Sequence, residues 1–173
     1  MGRKRRGKRF NFLFYFKEIN INNKSKIIME NFKIIDILLV EDNSGDVRLA
    51  QEALKESKVK NRLHIVNDGM AATDFLFKRN DYKDAPRPDL IILDLNIPKK
   101  HGHEVLAEVK ADEDLKRIPV IILTISKAEE DILKTYNLHA NCYITKPLDF
   151  DKFMEVIKSI EDFWLFVVKL PNH

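Results

Sequence analysis

The sequence has little of what many binding sites are built from. Cys142 is the single cysteine among 173 residues, which excludes an internal disulfide and any metal centre made of several cysteines. A reducing compartment follows, and a cytoplasmic location is expected. No apolar run near the N-terminus has the length of a membrane span. "FNFLFYF", residues 10–16, is too short to cross a bilayer, and no small-residue cleavage site follows it. There is no low-complexity segment after residue 33 and no internal repeat beyond an alternation of short apolar and amphipathic stretches. His101 and His103 flank Gly102, but two histidines without companions make a poor metal site, and they read as solvated loop residues. Cys142 reads as a small buried apolar residue.

Positive charge is also scarce where the regular pattern begins. The net charge of +3 conceals ten Lys/Arg and two Glu in residues 1–33, against twenty Lys/Arg and twenty-five Asp/Glu in residues 34–173. The alkaline balance therefore belongs to the N-terminal segment, and the remainder is mildly acidic. "RKRRGKR" could neutralise nucleic-acid phosphates regardless of sequence. It is equally a disordered or mis-annotated leader, with Met29 as the natural start. At 45% hydrophobic and 33% charged residues, the chain can bury one core. The expected organisation is a leader over 1–33, one domain over 34–168 and a tail over 169–173.

From residue 34 onward the pattern predicts five β-α repeats. Strands are expected at 34–41, 62–67, 89–95, 119–125 and 142–146. The first, third and fourth are almost continuously apolar, as central parallel strands covered on both faces are, whereas the second and fifth suit sheet edges. Helices are expected at 44–57, 69–79, 102–111, 127–137 and 149–168, with Ser44, Asp68 and Asp149 as caps or near-caps. Right-handed crossovers then give a three-layer α/β sandwich.

In such a sheet the functional crevice lies at the carboxyl ends of the strands. That rule selects Glu41 and Asp42, Asp94 with Asn96, Thr124 with Ser126, and Lys146. Clustered carboxylates repel and raise one another's pKa unless a cation joins them. With oxygen donors only, the ion expected is Mg²⁺, with Mn²⁺ as a substitute. Such an ion shares its shell with phosphate oxygens, so Asp94 reads as a nucleophile forming an acyl phosphate, with Thr124 and Lys146 beside the phosphoryl group.

"LLVEDN", "IILDLNIP", "VIILTIS" and "YITKP" resemble the signatures of response-regulator receiver domains, the phosphoacceptors of two-component signalling. The resemblance implies a flavodoxin-like, doubly wound parallel sheet of order 2-1-3-4-5. It implies Asp94 as phosphoacceptor, Asp42 as direct metal ligand with Glu41 beside it, and Asn96 lending its backbone carbonyl. It further implies Thr124 as the switch hydroxyl, Lys146 as the phosphate-binding lysine, Tyr143 as the aromatic that changes rotamer, and a cis Lys146–Pro147 bond. Residues 85–153 are also similar to stand-alone receivers that serve phytochrome-type and other sensor histidine kinases. That similarity implies such a kinase as phosphodonor, with no DNA-binding output domain in this chain.

Bulky Ile125, where many receivers carry a smaller residue, implies restricted access to the acyl phosphate and a longer-lived phosphorylated state. The last helix carries a stripe of Phe153, Ile157, Ile160, Trp164 and Val168, with Phe163, Leu165, Phe166 and Val167 outside it. This apolar excess predicts a homodimer through the fifth strand and the last two helices. The rival reading from the same fold is a phosphorylation-independent interaction module, which would have no use for Asp94, Thr124 and Lys146 together. A haloacid-dehalogenase-like phosphatase would need an Asp two residues after the nucleophile, where Asn96 stands.

Overall fold

The computed structural model describes residues 34–57, 59–168 and 170, without the side chains of Phe166 and Val167. The expected leader over 1–33 and most of the tail over 169–173 lie outside the described residues. Five strands, β1 (Ile35–Val40), β2 (Asn61–Val66), β3 (Leu90–Leu93), β4 (Val120–Thr124) and β5 (Cys142–Thr145), alternate with α1 (Ser44–Lys55), α2 (Gly69–Leu76), α3 (Gly102–Ala111), α4 (Glu129–Asn137) and α5 (Phe150–Glu161). All pairings are parallel, and the order is β2-β1-β3-β4-β5, as the resemblance implied.

The near-continuous apolar strands follow from burial on both faces. Ile37 and Leu39 of β1 point into a core closed by Ala50, Ala53 and Leu54 of α1 and Phe153, Ile157 and Ile160 of α5. Leu38 and Val40 point into the opposite core, with Ala72, Phe75 and Leu76 of α2 and Val105, Leu106 and Val109 of α3. Each buried Val, Leu, Ile or Phe side chain among these contributes about 1.5–3 kcal/mol on leaving water. The mixed strands β2 and β5 occupy the edges.

Helix ends follow side-chain chemistry, with differences from expectation. The cap of α1 is Asn43, one residue before Ser44. Its Oδ1 accepts from the N–H groups of Gly45 and Asp46, a reach that a side-chain amide has and that leaves Ser44 as the first helical residue. Asp68 and Asp149 cap α2 and α5 as expected. The α2 segment stops at Leu76 rather than Arg79, because Lys78 and Asn80 adopt positive φ, which a right-handed helix does not accommodate. The last helix is α only to Glu161 and continues as a π turn over Asp162–Val167. Within its predicted stripe Phe153, Ile157 and Ile160 are buried, while Trp164 is half-buried against the same core.

Strand register delivers the chemistry to one end of the sheet. Val40 of β1 pairs with Leu93 of β3, so Glu41 and Asp94 leave adjacent strands together. The Asp94 N–H donates to the Val40 carbonyl at 3.0 Å, holding the two ends in step. Thr124 pairs with Thr145, and the Lys146 N–H donates to the Thr124 carbonyl at 2.7 Å. The crevice between β1 and β3 is the point where strand order reverses, and there open α/β sheets bind ligands.

Candidate functional site

Three short turns leave the strand ends here, and each aims a carboxylate or an ammonium at the same space. Glu41 is 2% exposed, Asp94 5% and Lys146 5%. The Lys146 ammonium donates to Glu41 Oε2 at 2.5 Å, Asp94 Oδ2 at 2.6 Å and Asp46 Oδ2 at 3.0 Å. Burial alone would lower the pKa of Lys146. The hydrogen bonds and negative charges of Asp94 and Glu41 outweigh it and hold the ammonium above the ordinary lysine range. Glu41 shows the opposite balance: burial raises its carboxyl pKa more than Lys146 and the Asn43 N–H lower it, and the nearby Asp94 charge adds to the rise.

The remaining oxygens of these acids are also committed. Glu41 Oε1 accepts from the Asn43 N–H at 3.1 Å, and Asp94 Oδ1 accepts from the Asn96 N–H at 3.0 Å. Asp42 is exposed, and its carboxylate accepts no hydrogen bond among the described residues. Ligand atoms of Glu41, Asp42 and Asp94 lie within 4.8 Å of one another. Counting Asp46, the crevice gathers four carboxylates, three of them on the one ammonium, leaving an excess of negative charge that a divalent cation would offset. A donor set of carboxylates without His or Cys suits Mg²⁺ or Mn²⁺, so the residues present fit the implied ion.

Close backbone approach makes this geometry possible. A Cβ on Gly102 would fall 2.4 Å from the Asp94 carbonyl oxygen, so only glycine lets the start of α3 abut the strand end that carries Asp94. Similarly, a Cβ on Gly69 would fall 2.1 Å from the Lys100 carbonyl oxygen, which lets α2 press against the turn after β3. Lys99 and Lys100 fasten that turn, through Asp68 at 2.6 Å and Glu108 at 2.7 Å.

Beside the acids stands the β4 end. Thr124 is fully buried, and its Oγ1 accepts from Asn96 Nδ2 at 3.3 Å and from the Ser126 N–H at 3.4 Å. Ser126 Oγ donates to Asp131 Oδ2 at 2.5 Å, and the Tyr143 hydroxyl donates to the Ser126 carbonyl at 3.1 Å. Tyr143 is thus tied to the turn that follows Thr124. Ile125 projects from the same turn, 60% exposed. No cis peptide bond occurs among the described residues, which corrects the expected cis Lys146–Pro147: proline permits cis but does not impose it.

One of the two histidines also differs from expectation. His101 caps α3: its Nδ1 accepts from the His103 N–H, while Glu104 Oε1 accepts from the His101 N–H, both at 3.3 Å. His103 is not solvated but 3% exposed. Its Nε2 lies 3.1 Å from Thr135 Oγ1, and its Nδ1 lies 4.0 Å from Asp131. The helical phase of α3, with Leu106 also inward, places His103 against α4, a placement that the loop-like "KKHGH" obscured. Cys142 is half-buried in β5, and burial pushes its thiol pKa up.

Sequence reasoning missed two participants, Asp46 and Asp131. Both are acids in the first turn of a helix, where a favourable interaction with the helix dipole already accounts for them. The spacing signal was present for Asp46, three residues after the cap Asn43 and on the side of α1 that faces β1.

A doubly wound sheet whose switch point gathers acids from β1 and β3 and a lysine from β5 defines a class of α/β domains that hold an anionic group beside a cation. Residues 37–158 match the family described as "Response regulator receiver domain", and the chain belongs to that family. It is 52% identical over 135 residues to the response regulator Rcp1 of Synechocystis sp., covering 78% of this chain and 92% of Rcp1. Among solved structures, the Mn(2+)-bound form of Rcp1 superposes with a TM-score of 0.78 at 51% identity, covering 80% of this chain and 99% of that one. The phosphorylated cyanobacterial phytochrome response regulator RcpA gives a TM-score of 0.79 at 51% identity, covering 81% and 100%. No helix among the described residues is long and apolar enough to cross a membrane.

The buried His103 makes stability pH-dependent in a stated direction. Burial first, then the charges of Lys134 and His101, hold its pKa below the ordinary histidine value despite Asp131. For a base depressed on folding, the unfolded chain takes up the proton first as pH falls. Its contribution is therefore complete above the unfolded pKa of about 6.5 and is lost as pH drops below it. Urea midpoints measured at pH 7.5 and 5.5 are expected to differ less in His103→Gln than in the wild type; an equal difference would contradict this assignment.

Proposed function

We propose that this receiver accepts a phosphoryl group on Asp94 from a phosphohistidine of a sensor histidine kinase and signals through a changed surface. The observation that carries the reading is the direct contact of buried Lys146 with buried Asp94, at 2.6 Å. A lysine so placed orients a nucleophilic carboxylate and keeps a positive charge beside the place where negative charge develops on phosphoryl oxygens. In the transfer, an Asp94 carboxylate oxygen attacks phosphorus as the N–P bond breaks, and the bonding pair leaves on the imidazole nitrogen. The product is an acyl phosphate, which water later hydrolyses. Glu41, Asp42 and Asp94, with the Asn96 backbone carbonyl, would hold Mg²⁺, which would offset negative charge on the transferred group.

The chain's own residues divide the remaining work. Lys146 orients Asp94 and offers charge-assisted hydrogen bonds. Thr124, now occupied by Asn96 and the Ser126 N–H, is the hydroxyl that would turn toward the new oxygens. Such a turn would release the Ser126 segment on which the Tyr143 hydroxyl rests, and so carry the change to β5 and α4. The protein catalyses its own modification and its reversal; its role is signalling. A phytochrome-type kinase as donor is supported by the likeness to RcpA, and a cytoplasmic location by the single cysteine and that partner. We assign the receiver to residues 34–168, with residues 1–33 as a leader outside it.

Output through a second copy of the chain is supported by apolar side chains left exposed on the last two helices: Leu133 and Tyr136 on α4 and Phe150 on α5, with Phe163 just beyond. A long-lived acyl phosphate is supported by Ile125 at the rim of the site.

Incubation with acetyl phosphate and Mg²⁺, followed by intact-mass measurement, should add one phosphoryl group to the wild type and none to Asp94→Asn. A wild-type mass that never changes, or an adduct that survives in the variant, would overturn the proposal. Light scattering of the phosphorylated protein should show a mass that rises with concentration toward twice that of the chain; a monomer mass at every concentration would remove the dimer.

A further inference from the structure

One of the carboxylates that touch Lys146, Asp46, is required neither as the nucleophile nor by the three-carboxylate cation set. An ammonium has three N–H donors, and in this structure three carboxylates take them: Glu41, Asp94 and Asp46. No donor is left over for a phosphoryl oxygen. Transfer to Asp94 therefore requires Lys146 to release one of its present partners.

The three partners are not equally replaceable. The Glu41 side chain is 3% exposed, lies 2.5 Å from Lys146 and has its other oxygen held by the Asn43 N–H. Asp94 is the group being modified. Asp46 makes the longest contact, 3.0 Å, and its side chain is 26% exposed. Water can take over an oxygen that already faces solvent, so the Asp46 contact costs least to break. Its charge also opposes the modification, because a phosphoryl group carries about −1.5 to −2 and arrives where Asp46 is already a like charge.

We propose that Asp46 is a positioning residue that acts through Lys146. It holds the third N–H of the resting ammonium, yields it to a phosphoryl oxygen, and thereby sets how readily Asp94 takes and keeps the group. This rests on the reading of Asp94 as phosphoacceptor. Asp46 thus works as an internal competitor for the lysine, built into the first turn of α1 and positioned by the Asn43 cap, whose Oδ1 accepts the Asp46 N–H at 3.1 Å. In the resting protein it keeps Lys146 aimed across the crevice; in the phosphorylated protein it is the partner left to water.

The test compares wild type, Asp46→Asn and Asp46→Glu at saturating Mg²⁺ with acetyl phosphate, following the phosphorylated fraction by intact mass. Asp46→Asn keeps the size and an acceptor oxygen but removes the charge. It should be phosphorylated roughly two- to fivefold faster than the wild type, the range of a partly exposed ion pair, and Asp46→Glu should return the rate toward wild type. In the unphosphorylated protein the Lys146 ¹⁵Nζ resonance should shift in Asp46→Asn and return in Asp46→Glu, which a role confined to capping α1 would not produce. A phosphorylated wild type with an equal or slower Asp46→Asn, or an unmoved Nζ resonance, overturns this inference alone. A wild type that takes no phosphoryl group overturns the proposed function as well.

Discussion

The arrangement depends on one ammonium held among acids. Lys146 is nearly inaccessible, yet its charge is retained because Glu41, Asp94 and Asp46 surround it. Remove the lysine and two buried carboxylates face each other without compensation; remove the acids and a buried ammonium is left without counter-charge. A buried ion cluster of this kind is poor evidence for stability gained over an apolar core, since desolvation offsets much of the attraction. Its persistence here is better explained by what it prepares, a carboxylate and an ammonium held in contact in a crevice where an anionic group can be received.

The sheet supplies the precision. Parallel register puts Glu41 beside Asp94 and Thr124 beside the residue before Lys146, so four strand ends form one side of a site without help from a long loop. The turns beyond them are held by side-chain bonds and by two glycines at which a neighbouring backbone carbonyl comes too close for a Cβ. The Thr124 end is tied differently. Ser126, Asp131, Tyr143 and, through α4, Thr135 and His103 form a polar chain leading away from the crevice. Because α4 buries only Thr135 of its own side chains, few apolar contacts resist its movement.

Much of the fold was legible in the sequence, for a physical reason. Strands buried on both faces must be apolar throughout, so β1, β3 and β4 announce themselves, and "VEDN", "ILDLN" and "ITKP" mark the polar ends of β1, β3 and β5. The convergence of Glu41, Asp42, Asp94, Thr124 and Lys146 followed from their places at the carboxyl ends of the predicted strands. What stayed hidden depended on side-chain reach rather than period. Asp46 looked like an ordinary first-turn acid, His103 like part of a solvated turn, and Ser44 like the cap that Asn43 supplies. The π turn after Glu161 is also invisible to a pattern that reads continuous helix through Val168.

The central claim, that Lys146 is the counter-charge holding these acids together, is tested most directly by urea unfolding of Lys146→Met at pH 7 without divalent ions. Loss of one partner from a buried ionic cluster predicts a destabilisation of about 3–5 kcal/mol. Added Mg²⁺, or a pH low enough to protonate the carboxylates, should recover part of it. A variant as stable as the wild type at pH 7, and indifferent to Mg²⁺, would contradict the account.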